Sequence, residues 1–77
     1  MRSDMITVKQ KALCVLAEAN RPMTTMEVVR EVFPDVPSYK EAEYRARIYY
    51  NLDSCVKWGE VKKTSVKGKS TTWELIA

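Results

Sequence analysis

Residues 48–75 constrain this chain more than any other stretch, because a helical period, a stop and a strand period follow one another without a break. Ile48, Leu52, Cys55 and Val56 recur at the three- and four-residue spacing that puts apolar side chains on one helix face. Gly59 stands just past the last of them, where a left-handed residue ends a helix. Val61 follows, then a lysine-rich run with Gly68 inside it, then Trp73 and Leu75. Alternation puts Val61, Trp73 and Leu75 on the core side, with Lys62, Thr72 and Glu74 outward. A helix is therefore expected to feed directly into a two-stranded hairpin with Gly68 at its tip. Val66 does not alternate simply with Val61, which leaves either a bulge or an exposed valine.

Upstream, prolines and capping residues divide the chain. A first helix is predicted from about Thr7 to Ala19, with Val8, Ala12, Leu13, Val15, Leu16 and Ala19 on one side. Asn20 can end it in the left-handed conformation, and Pro22 forbids continuation and holds Arg21–Met23 extended. A second helix opens on the capping box of Thr24 and Glu27, buries Val28, Val29, Val32 and Phe33, and stops at Pro34. Ser38 and Glu41 read as another capping box, opening a third helix that runs to Trp58. Tyr44 and Tyr49 flank the stripe of that helix. Glu41 and Arg45 interrupt its early turns, so its N-terminal half is expected to project beyond the core.

Composition narrows the function classes. Seventy-seven residues, 45% hydrophobic and 30% charged, describe one globular domain over residues 1–77. The net charge is +3 with a pI near 9.0. Its placement says more: residues 1–38 are balanced, whereas Lys57, Lys62, Lys63, Lys67 and Lys69 face only Glu60. Such clustering is a nucleic-acid footprint, or alternatively a solvated lysine face that protects an edge strand. A helix running into a basic hairpin suits a duplex, since one element can enter a groove while the other reaches phosphates. Cys14 and Cys55 are far apart and read as small buried hydrophobes in a reducing, cytoplasmic setting. With no histidine and no C-x-x-C pair, neither a metal nor another cofactor is expected. No membrane span, leader peptide, repeat or low-complexity tract is visible.

The order of helix, short extended piece, helix, turn, helix and hairpin resembles the winged helix-turn-helix domain. Leu13, Leu16 and Pro22 resemble that family's first helix and the proline after it. Thr24, Glu27, Val28 and Val29 resemble the opening of its second helix. Ile48, Leu52, Cys55, Gly59 and Val61 repeat the spacing of its third helix and the passage into the wing. Trp73 and Leu75 take the aromatic and aliphatic places of the returning strand. The resemblance implies an α+β, mainly α fold: a three-helix bundle with a C-terminal two-stranded wing. It further implies a small regulator that binds double-stranded DNA, of bacterial, archaeal, plasmid or viral type, and compatible with a two-fold homodimer. The Phe33–Ser38 connection is longer than a tight helix-turn-helix turn, and Glu41 and Glu43 put acidic groups early in the third helix.

On a helical wheel Tyr39, Lys40, Glu43, Ala46, Arg47, Tyr50, Ser54 and Lys57 lie away from the core stripe. The family places its groove-reading residues on this face. Arg47 suits a bidentate contact to guanine, and Glu43 suits a cytosine amino group. Ala46 leaves room for a base edge or a thymine methyl, while Lys40 and Tyr50 suit phosphates. Lys62, Lys63, Lys67 and Lys69 of the wing would grip the backbone without reading sequence. The bland alternative is a solvated face with Glu43 and Arg47 as an i,i+4 pair. Trp58 and Trp73 are expected in the core rather than as base-stacking platforms; Tyr39 and Tyr50 are expected outside it.

Enzyme activity is not expected, because no phosphate-binding glycine loop or nucleophile–base set is present. Two binding readings remain open. The first is sequence-specific DNA recognition. The second is a winged-helix module that meets a protein through the same surface. RNA or single-strand binding ranks below both.

Overall fold

Capping chemistry sets the helix starts in the computed structural model, which describes residues 7–76. Helix α1 spans Val8–Ala19. Thr7 is its N-cap: its hydroxyl accepts from the Gln10 N–H, and the Gln10 side chain accepts from the Thr7 N–H. Asn20 ends the helix in the left-handed region at φ 53°, as its amide side chain tolerates. Strand β1 (Met23–Thr24) follows, and α2 (Thr25–Val32) starts from the Thr24–Glu27 capping box. A 3₁₀ turn over Ser38–Lys40 leads into α3 (Glu41–Lys57). Strands β2 (Val61–Thr64) and β3 (Thr72–Leu75) close the chain.

The α3 start departs from expectation. Pro37, not Ser38, sits at the N-cap of the 3₁₀ turn, and no side chain caps either that turn or α3. The proline holds an extended backbone at φ −69°, ψ 151°, so the turn begins at Ser38 and absorbs it. The far end of α3 behaves as expected. Gly59, at φ 78°, lets its own N–H reach the Val56 carbonyl at 3.1 Å, and the Glu60 N–H reaches that of Cys55 at 3.0 Å. This is the paired bonding of a glycine-terminated helix.

The hairpin is part of a three-stranded antiparallel sheet, in the order β1-β3-β2, rather than a two-stranded wing. Pro22 keeps the chain from continuing α1, Thr24 is extended as the α2 N-cap, and Met23 and Thr24 pair with Trp73 and Thr72. This pairing satisfies an edge of β3 that a bare hairpin would leave open. On the other edge Val61 pairs with Leu75, Lys62 with Glu74, and Lys63 with Trp73. Val66 lies in the loop beyond β2 and is exposed, so no bulge is needed to place it.

The core draws on all three α-helices and all three strands. Ala12, Leu16, Met23, Val28, Val29, Ile48, Leu52, Cys55, Val61 and Trp73 are buried. Trp73 has no exposed surface; its indole N–H donates to the Thr25 hydroxyl at 2.9 Å. Trp58 corrects the expectation of a second core tryptophan. It caps α3 with 75% of its surface exposed, because position 58 is rotated roughly 80° from the Ile48 stripe. Cys14 is likewise exposed. It is two residues from both Ala12 and Leu16, so it points away from the face they bury. Cys55 is buried as expected, and that burial raises its thiol pKa.

Candidate functional site

The outer face of α3 and the wing beside it form the candidate site. Only from Ile48 onward does α3 bury side chains, so its first two turns stand clear of the core on every side except that of Tyr44. Glu41 and Glu43 lie in the first turn, where the helix dipole favours negative charge; this gives those acids a structural reason. Tyr39 and Lys40 precede them in the 3₁₀ turn, both exposed. Glu43, Ala46, Arg47 and Tyr50 are exposed along α3, as the wheel predicts.

Two arginines leave α3 on opposite flanks. Arg45 and Arg47 are roughly 200° apart around the helix. The Arg47 guanidinium lies over the Tyr44 ring, 5.2 Å from its centroid, on the side where Tyr44 stacks on Phe33 at 4.9 Å. Among the described residues it makes no ion pair with Glu43. Arg45 points the other way, into a groove of about 420 Å³ between α3, the start of α2 and the returning arm of the wing. Ala42, Ala46, Tyr49 and Tyr50 form the α3 wall of that groove. Ser70 and Thr71 form the wing wall, and Thr24, Thr25 and Met26 the floor. The small Ala42 and Ala46 keep the groove open. Arg45 escaped the sequence reading because it falls near the apolar stripe on the wheel. The signal that could have exposed it was the stripe's end at Ile48, which frees position 45 from the core.

The wing lysines divide by strand parity. Lys62 is exposed on β2 and pairs across the sheet with Glu74. Lys67 and Lys69 flank Gly68, which takes φ 81° in a turn closed by the Lys69 N–H and the Val66 carbonyl at 2.9 Å. Nothing neutralises either lysine among the described residues. Lys63 shares the inward parity of Val61. Its ammonium sits 4.6 Å from the Tyr49 ring centroid, 5.5 Å from that of Trp73, and 3.5 Å from an Asp53 carboxylate oxygen. Contact with Tyr49, and to a lesser degree the Asp53 charge, raises its pKa above the ordinary lysine value. The structure thus brings Ala46 and Tyr50 to the wing, turns Arg47 to the opposite flank, and engages Lys63 internally.

Among the described residues no three of Cys, Asp and Glu are gathered to hold a metal ion. No described helix is long and apolar enough to cross a membrane. No family model matches the chain, and no curated protein matches it in sequence. In structure it is similar to a solved chain described under structural insights into the DNA recognition and protein interaction domains of HOP2. The TM-score is 0.61 at 22% identity, covering 91% of this chain and 100% of that one. At that identity the likeness is one of fold, and it fits a winged helix whose wing is drawn into a three-stranded sheet.

Proposed function

We propose that this chain binds double-stranded DNA, with the outer face of α3 in the major groove and the wing tip on the phosphate backbone. The observation that carries the reading is the exposed outer face of α3 beside a wing tip that carries the exposed Lys67 and Lys69, with an open groove lined by Arg45 between helix and wing. Lys67 and Lys69 extend from the wing, Lys40 from the turn before α3, and Arg47 from the α3 flank away from the groove. The HOP2 likeness, described as concerning DNA recognition, adds support at the level of fold. Arg47 acts as the base reader, toward the O6 and N7 of guanine, with Ala46 beside a thymine methyl and Glu43 near a cytosine amino group. Tyr39, Lys40, Arg45, Tyr50 and Lys62 contact phosphate and sugar, as do Lys67 and Lys69. Sequence-specific binding of this kind suits a transcriptional regulator, acting alone or as a two-fold homodimer. The reading assigns no enzymatic step and no cofactor.

The test is binding to random-sequence duplex DNA across a salt series, followed by selection of preferred sites from a random pool. Binding is expected to weaken linearly with log salt, and the pool to converge on a site. No complex even at low salt overturns the reading. A second reading is favoured by one observation: Tyr39, Tyr50 and Trp58 are 83%, 74% and 75% exposed, an unusual display of aromatic surface. On that reading the α3 face meets a protein partner, and duplex affinity is feeble at every salt concentration.

A further inference from the structure

We propose that Lys63 is a positioning residue that clamps the wing to α3, so that Lys67 and Lys69 meet the duplex at a fixed distance from the helix. The inference rests on the DNA-binding reading but stands on separate geometry. Lys63 is opposite Trp73 in the β2–β3 register, and its ammonium is held over Tyr49 and beside Asp53, both residues of α3. One side chain of β2 thereby ties the sheet to the helix through a cation–π contact and an ion pair. Only 27% of its side chain is exposed, although its neighbours Lys62 and Thr64 are both open to solvent. From Thr64 to Ser70 every residue is exposed, and there the arms are tied only to each other, by the Thr64–Thr72 pairing and the 3.2 Å Ser65–Thr71 hydroxyl bond, so Lys63 is the last β2 side chain packed on the body. An ammonium held this way has its charge matched within the protein. It contributes little to counterion release, in contrast to Lys67 and Lys69.

The experiment is a double-mutant cycle on duplex affinity with K63M, the pair K67A/K69A and the triple variant, all at a temperature where each is folded by its melting curve. K63M keeps the aliphatic stem and removes the charge. It is expected to weaken binding about two- to ten-fold in the natural background and about two-fold or less when Lys67 and Lys69 are absent. K63R, whose guanidinium also stacks on aromatic rings, is expected to restore binding. Equal losses in both backgrounds, or no loss in either, overturn the proposal. A DNA-free measurement separates this from failure of the binding reading. Ring currents of Tyr49 and Trp73 are expected to move the Lys63 methylene protons next to nitrogen upfield of those of Lys62. Nitrogen-15 relaxation is expected to show larger motion at Lys67–Lys69 in K63M than in the natural protein. If the natural protein binds no duplex, the DNA reading falls, and these two signals alone decide the clamp. Unshifted protons with unchanged wing motion overturn it.

Discussion

Thr25 and Trp73 join in the one described hydrogen bond between two buried side chains, and Thr25 is the only buried polar residue among those described. Thr25→Val keeps the shape and removes the acceptor, leaving an indole N–H buried without a partner. The expected loss is about 1–3 kcal/mol in urea unfolding, with the slope against urea unchanged. Stability equal to the natural protein would mean that the indole finds another acceptor. Leu52, fully buried at the centre of α3, is expected to cost about 2–5 kcal/mol as Leu52→Ala, read from the same curves. Arg47 has two competing partners on the DNA-binding reading. Its contact with Tyr44 is worth about 0.5–1 kcal/mol at an exposed site, whereas a bidentate guanine contact discriminates against the wrong base by about 1–3 kcal/mol. On that reading, the Tyr44 contact is weak enough for a guanine edge to compete for Arg47. Arg47→Ala is expected to cost about 1–3 kcal/mol on a selected site and less on random duplex, so that specificity itself shrinks. Equal losses on both DNAs would make Arg47 a phosphate contact instead.

At the scale of elements, the two threonine-capped helices and α3 start by different means, and substitution separates them. Thr24→Ala breaks the α2 capping box and is expected to cost about 0.5–2 kcal/mol. Ser38→Ala removes no cap bond and is expected to stay within about 0.5 kcal/mol of the natural protein. Parallel melting curves of the two variants check the contrast. The α2 cap also carries a pH dependence. The Thr24 N–H donates to the Glu27 carboxylate at 2.9 Å, and this bond is the main reason that the Glu27 pKa is lowered; Arg21 at 3.5 Å adds to it. A lowered carboxylate contributes stability that is present above its unfolded pKa, about 4.3, and lost as pH falls through the folded value. Glu27→Gln retains a side-chain acceptor for the Thr24 N–H and does not titrate there. Between pH 6 and pH 3 the natural protein is expected to lose more melting temperature than this variant. Equal losses would show that Glu27 is not differentially charged on folding.

Across the whole molecule, β3 is the central strand that joins the α1–α2 corner to the wing, since it pairs with both β1 and β2. The wing is therefore braced on two sides at its base and free only beyond Thr64. Lys67→Ala with Lys69→Ala is expected to leave folding intact and weaken duplex binding about equally for all sequences. The slope of log affinity against log salt is expected to shrink by about 0.9 for each phosphate that the wing no longer neutralises. An unchanged slope would place the wing tip away from the backbone.

Local chemistry made much of this legible in the sequence. The Thr24–Glu27 box, the left-handed Asn20, the Gly59 stop and the Ile48–Leu52–Cys55 stripe each depend on neighbours within four or five positions, and the fold keeps all of them. Strand parity likewise put Val61 and Trp73 inside. What escaped depends on contacts between distant segments. Whether Met23–Thr24 becomes a strand is decided by β3, almost fifty residues later, and two residues carry no strand period of their own. Ser38 has the right partner at Glu41, but Pro37 starts a turn before the cap can form. Lys63 looks like any wing lysine until Tyr49 and Asp53 of α3 come beside it. Arg45 becomes a groove residue only because the wing packs on its flank of α3 and leaves Arg47 on the other. Period and capping act along the chain and fix the elements and their buried faces. Which exposed cations share a surface is set by how those elements pack, because the sequence distance between two side chains says nothing of the space that folding puts between them.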